Sequence, residues 1–405
     1  MAGLSCFSVT YKSANKGQFG LKSLQVLRFL CATLAFADQC EENTIVWDVA
    51  IVGGGSSGTF SAVRLRDEGK SVVVIEKEPI LGGHTDTYRD PFTDQAVDYG
   101  VVIFVNTQVA RDYFNRLNVP WSVTDRFSDA NVSIAYLNPP TAERDDYTPP
   151  KPVPGFKAYA EQLSSTPNWI GAFFFLVVSS GANQIIYNRA RDLLGLDVLL
   201  NSQVAFTQQR DEGGIKLTVS TSTGLQTIQA NKLLLTIPPK LNNLVPFNPD
   251  ARKFTLFGDL VRNTGLPQTI RSSSVSPDAP YHIAQLPGVY SVVPTKIEGL
   301  FDIKYGSPYP LPEEYVRRQI LTYVEHLQAQ GFANASQSEC VSYRRHTPFE
   351  LTVLPGNIAA GFNNKLYDLQ GYRNTWYTGA AFHTHNSAAL WNFTESVVLP
   401  GLLDD

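Results

Sequence analysis

The sequence predicts an α/β fold: a doubly wound dinucleotide-binding domain with an inserted substrate domain of mixed sheet and helices. Three observations predict it. Residues 46–76 run strand, glycine turn, helix, second strand and terminal acid, all within 31 residues. A Gly-Gly pair, Gly82-Gly83, follows six residues after that acid. A second strand–turn–helix unit, Trp376 to Leu399, stands at the far end of the chain. Two such units at opposite ends suggest that both ends build one site.

Each part of the opening unit has a mechanical reason. Trp47 to Val52 is a short apolar run that reads as a buried strand. Gly53, Gly55 and Gly58 then spell Gly-x-Gly-x-x-Gly. Gly53 permits the tight turn, Gly55 leaves room for a pyrophosphate, and Gly58 lets the next helix pack closely on the sheet. The helix is expected over Thr59 to Glu68, its N-terminal amides facing the phosphates. Ser71 to Ile75 is a second β-branched strand, and Glu76 ends it where a carboxylate can accept ribose hydroxyl protons. The glycine triplet alone would be weak evidence; its complete βαβ context makes it specific.

Bulk properties exclude several classes. With 405 residues and 43% hydrophobic content, the chain can bury a sizeable core. A net charge of −4 without basic blocks argues against nucleic acid as a partner. No apolar run approaches the roughly 18 residues that span a bilayer. Residues 1–37 contain Lys12, Lys16, Lys22 and Arg28 and no acid, and they end in Ala35-Phe36-Ala37. That pattern resembles a secretory signal peptide cleaved before Asp38, which would place the mature protein outside the cell or in the endomembrane lumen. A mitochondrial presequence, or a cytoplasmic chain with a mis-assigned start, is the alternative reading. Removing those four cations would take the net charge from −4 to −8. Cys40 and Cys340 would then be the remaining cysteines, either as one disulfide or as two thiols.

Along the chain, Thr107 to Leu117 has helical spacing, and Asn138 to Pro154 is a proline-rich connector. Residues 155–194 read mostly as helices, and 198–239 as strands with a hairpin at Glu212-Gly213-Gly214. Residues 265–305 look extended, and Leu311 to Gly331 reads as a helix closed by its glycine.

The motifs from Gly53 to His84 resemble the FAD-binding start of the flavin-containing amine oxidase and glutathione-reductase-like superfamily. The tail Trp376-Tyr-Thr-Gly-Ala-Ala-Phe-His-Thr-His-Asn-Ser-Ala-Ala-Leu-Trp391 resembles its second FAD motif. Within it the chain is similar to fungal oxidoreductases of the beta-cyclopiazonate dehydrogenase type and to polyenoic fatty acid isomerases. The resemblance implies FAD as a non-covalently held cofactor. It implies FAD-binding parts at 45–105, 196–250 and 355–405, a helical substrate insertion at 106–195 and a substrate domain at 251–354. Gly53, Gly55, Ser57 and Gly58 would hold the pyrophosphate, Glu76 the adenosine ribose, and Gly82, Gly83 and His84 would pass along the cofactor. Val204 would pair its backbone with adenine. Thr378, Gly379 and Ala380 would approach the pyrophosphate and ribityl chain, with Ser387 and Ala388 capping the flavin ring.

Two positions depart from the amine oxidase pattern. His84 stands where those enzymes usually have arginine, and Ala380 where they usually have glutamate, so typical amine oxidase chemistry is not implied. No cysteine lies within 370–400, so no cysteinyl flavin link is expected. No second Gly-x-Gly-x-x-Gly unit is present for NAD(P)H.

Of the six histidines, His383 and His385 are candidates for a flavin-facing role, with core packing the competing reading. A metal is not expected, since no cluster has ligand spacing. Lys304 is either a lysine acting near flavin through water or a solvated strand lysine. Phe173-Phe174-Phe175 either lines an apolar tunnel or belongs to a helix core. The expected function is an FAD-dependent oxidoreductase moving hydride from a small hydrophobic substrate to flavin, with oxygen or another acceptor. The alternatives are a redox-neutral double-bond isomerase of polyunsaturated fatty acids and a non-enzymatic carrier like the GDP-dissociation inhibitors.

Overall fold

The computed structural model describes residues 46–404, except 125–132, 139–140, 149–174, 210–213, 239–253, 264, 277–283, 333, 335, 350–352 and 354. The expectations for residues 1–37, Cys40, the six prolines of the proline-rich connector, Phe173, Phe174 and Glu212-Gly213 therefore lie outside the described residues.

The chain opens with β1 (Val46–Val52), α1 (Ser56–Asp67) and β2 (Val72–Ile75). There follow β3 (Thr87–Arg89), β4 (Ala96–Asp98), β5 (Phe104–Val105), α2 (Gln108–Arg116), β6 (Trp121–Thr124), β7 (Ser133–Leu137), β8 (Phe175–Val178) and α3 (Gln184–Leu194). Next come β9 (Val198–Leu199), β10 (Gln203–Gln209), β11 (Ile215–Thr221) and β12 (Gly224–Leu235). The second half of the chain holds β13 (Phe254–Arg262), β14 (Ile270–Ser274), β15 (Gly288–Pro294), β16 (Leu300–Ser307), α4 (Glu313–Ala329) and β17 (Glu339–Phe349). It ends with α5 (Pro355–Ala359), α6 (Phe362–Tyr367), β18 (Thr375–Tyr377), α7 (Ser387–Phe393) and α8 (Leu399–Leu403).

The predicted α/β class holds. Strands β9, β2, β1, β12 and β18 lie side by side in that order and all pair in parallel. β12 is long enough to do two jobs. Its first half pairs antiparallel with β11, which pairs with β10; its second half lies between β1 and β18. One face of the parallel sheet is covered by helices. Phe60 and Leu65 of α1, Phe114 of α2, Tyr187 of α3 and Trp391 of α7 share a core there with Val49 and Ile51. On the other face, Ile215, Leu217 and Val219 of the antiparallel ribbon pack on Ala50, Val52, Val73 and Ile75. Burial on both faces explains why β1 and β2 read as unbroken apolar runs. The second sheet has the order β17-β13-β16-β15-β14-β7, and α4 packs on it through Val316, Ile320 and Val324.

Two local expectations change. The first helix begins at Ser56 rather than Thr59, because Gly55 is already its extended N-cap. In the stretch 155–194 the described residues, 175–194, hold the helix α3 but open with a strand that the helical reading did not include. Phe175–Val178 is a strand, with alternate residues buried, paired to β5 and β6. Its aromatic and β-branched residues suit a pleated surface better than a helix. Phe175 is therefore a half-buried strand residue, not a helix-core one.

Candidate cofactor site

The glycine turn works by close approach. Gly53 has φ +107°, and a Cβ on Gly58 would stand 1.9 Å from the Gly53 carbonyl oxygen. Only glycine lets α1 nest on the turn at that position. Gly55 is different. A Cβ there would meet nothing nearer than Gly83 Cα, at 3.7 Å, so Gly55 opens on free space between the turn and the Gly-Gly segment. That segment runs alongside: Gly82 donates its N–H to the Gly54 carbonyl at 2.9 Å, and Gly55 and Gly82 form a parallel bridge. Both Gly82 (φ +128°) and Gly83 (φ +61°) use conformations that suit glycine. Ser57 is buried inside the first turn of α1, its carbonyl accepting from the Ser61 hydroxyl at 2.7 Å.

Glu76 is buried and already coordinated. One carboxylate oxygen accepts from the Gly54 amide at 2.5 Å and the other from the Glu78 amide at 2.8 Å. Those bonds tie the end of β2 to the glycine turn. The Glu76 carbonyl accepts from Ser202 N–H at 2.8 Å, which brings the approach to β10 beside it. Val204, two residues on, is half-buried in the core between the ribbon and the parallel sheet, paired with Val219 next to a bulge.

The C-terminal unit reaches the same turn through Thr236, just past β12. Its hydroxyl lies 3.1 Å from the Val52 carbonyl and 3.0 Å from that of Gly53. Gly379 (φ +111°) crosses directly over Thr236, where a Cβ would stand 2.8 Å from the Thr236 carbonyl oxygen. Ala380 is half-buried in the turn that follows. Ser387 begins α7, capped by Asn386, whose side chain accepts from Ala389 N–H at 2.9 Å. Ala388 is fully buried in the helix-side core and does not face the site.

The second sheet contributes a polar cluster. Lys304 on β16 is 18% exposed, donates to the Tyr99 carbonyl and pairs with Asp302 at 3.0 Å. It is not a solvated strand lysine. The rings of His84 and His346 lie 4.4 Å apart. His346 Nε2 is 3.6 Å from Asp86, and Arg344 Nε is 2.7 Å from the other oxygen of the same carboxylate. Burial, and then neighbouring positive or potentially positive groups, push His84 down to about 4 and His346 down to about 3. Burial raises the Asp86 carboxyl above the usual carboxylate value. His385 is exposed and lies within electrostatic reach of His84. His383 instead stacks on Phe393 at 4.6 Å and meets the Tyr367 hydroxyl at 3.1 Å, a packing arrangement.

Sequence reading missed Thr236, Asp86 and His346. Thr236 falls within the strand-rich stretch 198–239, just ahead of Pro238-Pro239, and carries no motif of its own. Asp86 lies two residues beyond His84, and could have been found from its place in the Gly-Gly segment. Nothing local marks His346. Among the described residues no group of three or more His, Cys, Asp or Glu side chains could hold a metal.

Comparison with known proteins gives consistent results. Residues 51–117 match the family model for the NAD(P)-binding Rossmann-like domain. The FAD-dependent oxidoreductase oblC of Cochliobolus heterostrophus is 32% identical over 447 residues, covering 89% of this chain and 92% of that one. The beta-cyclopiazonate dehydrogenase of Aspergillus oryzae is 29% identical over 453 residues, covering 93% and 98%. Among solved structures, a fatty acid isomerase from P. acnes that produces CLA aligns with TM-score 0.63 at 14% identity, over 87% of this chain and 98% of that one. Putrescine oxidase bound to putrescine aligns with TM-score 0.57 at 15% identity, over 88% and 100%. These two likenesses speak for the fold.

Proposed function

The chain belongs to the FAD-dependent oxidoreductase family, and from that premise we propose that it oxidises a small hydrophobic substrate with non-covalently held FAD. The observation that carries this reading is the open side of Gly55, facing Gly83, on a turn that Glu76 holds through Gly54 and Thr236, beneath Gly379, holds through Gly53. Gly55, Ser57 and Gly58 would hold the pyrophosphate through backbone amides, which need no side-chain charge, while Gly53, whose amide is bonded to the Ile75 carbonyl, makes the turn and Gly82 and Gly83 pass along the cofactor. Glu76 has a spare acceptor direction on each oxygen for ribose hydroxyls while keeping its two backbone bonds. Val204 would serve the adenine. Gly379, Ala380 and Ser387 would approach the ribityl chain and ring, with His84 beside them. When bound, FAD supplies a two-electron hydride acceptor.

The absence of charge at His84 and Ala380 supports a neutral hydrophobic donor over a simple amine. A secondary metabolite, an amine of low charge or an unsaturated compound fits that description. The competing reading is redox-neutral double-bond isomerisation of a polyunsaturated fatty acid, kept alive by the isomerase among the fold neighbours. Membership in an oxidoreductase family sets the non-enzymatic carrier aside. The export signal at residues 1–37 belongs to the same proposal, with Asp38 as the mature N-terminus, readable by N-terminal sequencing of secreted material.

The test is a spectrum of the purified protein, then anaerobic reduction with amines, indoles and polyunsaturated acids. A yellow protein that releases FAD on acid precipitation, and that consumes oxygen or dye with its substrate, supports the proposal. A colourless protein sinks it. A product of unchanged mass without dye reduction replaces it with the isomerase.

A further inference from the structure

Two distant segments bring titratable groups together beside the proposed flavin site. His84 follows the Gly82-Gly83 pass, His346 lies on β17, and their rings are 4.4 Å apart, tilted by 57°. Behind them, Asp86 is 5% exposed. Its Oδ1 takes Arg344 Nε at 2.7 Å, whereas Oδ2 makes no hydrogen bond among the described residues and faces His346 Nε2 at 3.6 Å. A buried carboxylate oxygen left without a donor is costly, and a protonated His346 ring, now just beyond hydrogen-bond distance, would satisfy it after a small shift.

We propose that His84 and His346 form a single-proton acceptor beside the flavin, with Asp86 and Arg344 holding His346 in place. The proposal rests on the FAD reading above. Either ring of the pair can carry the proton, His84 standing directly after the Gly-Gly pass; Asp86 and Arg344 are positioning residues. Oxidation of a C–H donor removes two electrons and one proton as hydride, with flavin as the oxidant. The second proton, from the substrate's N–H, O–H or adjacent C–H, goes to a ring nitrogen of the pair. The pair takes one proton and not two, because two cationic rings in contact repel.

Charge balance explains how uptake is tied to the redox step. At neutral pH both rings are uncharged: burial comes first, followed for His346 by His84, Lys304 and Arg344, and for His84 by His385 and Lys77. Asp86 is the acid facing the pair; Glu78 and Asp302 lie further out, beside Asp86 and Lys304 respectively. Hydride arriving in the site adds one negative charge. That charge offsets the surrounding cations and raises the affinity of the pair for a proton.

The experiment is a pH titration of the holoenzyme followed by flavin absorbance, in the oxidised and the dithionite-reduced states. The oxidised protein should show a one-proton transition near pH 4, and the reduced protein the same transition shifted up by about one pH unit or more. His84→Gln and His346→Gln should each abolish or displace it, and Asp86→Asn should displace it without removing flavin. A transition identical in both redox states, or unchanged in both histidine variants, overturns the proposal. The wild-type comparison decides even where a variant fails to fold. A colourless wild type would overturn the FAD reading instead.

Discussion

The Thr236 hydroxyl lies 3.0 Å from the carbonyl oxygen of Gly53 and donates toward it. The same residue offers its own carbonyl to the close passage of Gly379. One threonine at the end of β12 thus stands where the N-terminal turn and the C-terminal unit meet. Thr236→Val keeps the shape and removes the donor. It should cost about 1 kcal/mol of stability and weaken flavin affinity, measured by urea unfolding and flavin titration. Unchanged flavin affinity would remove Thr236 from the site.

Gly55 and Gly58 should fail in different ways. Gly55→Val places its side chain in open space on extended backbone, so the protein should fold with a near-normal melting temperature and bind no flavin. Gly58→Ala drives a methyl into the Gly53 carbonyl and should cost about 1–3 kcal/mol as well as flavin. Paired thermal melts and absorbance spectra separate the two; a yellow Gly55→Val would disprove the pyrophosphate assignment.

Glu76→Ala is a stability variant as well as a binding one. It leaves the Gly54 and Glu78 amides without their acceptor. The expected loss is about 1–3 kcal/mol, seen in the apoprotein. Glu76→Gln, which retains one acceptor oxygen, should recover part of it.

Trp391 joins the C-terminal helix to the first turn of α1. Its ring stacks with Phe60 at 5.7 Å and Phe104 at 5.4 Å, and its Nε1–H donates to the Ser56 carbonyl at 3.2 Å. Trp391→Ala should cost about 3–5 kcal/mol. A loss under 1 kcal/mol by chemical denaturation would contradict this packing.

Stability should fall on acidification. His84 and His346 bind protons less readily folded than unfolded, so their contribution is complete above about pH 6.5 and is lost as pH falls toward about 4 and 3. Asp86 acts in the opposite sense, since its raised value favours the protonated folded form at low pH. The net slope should flatten in His346→Gln, measured by denaturant midpoints from pH 7 to pH 4. An unchanged slope would show that His346 titrates normally.

The sequence alone determined the opening βαβ unit, Glu76 at its end, the Gly-Gly pass and the C-terminal strand–turn–helix. It did so because each is encoded within a few residues of itself: β-branched runs make strands, and glycines mark the turns where a Cβ would collide. It also determined the family, through the same local motifs. It did not show that Phe175–Val178 is a strand, since a short apolar run becomes strand or helix according to its partners, here β5 and β6. Nor did it show Thr236 between Gly53 and Gly379, or His346 against His84 and Asp86. Those contacts join residues separated by more than a hundred positions, and only the tertiary packing of distant strands and of the C-terminal unit against the opening segment brings them together.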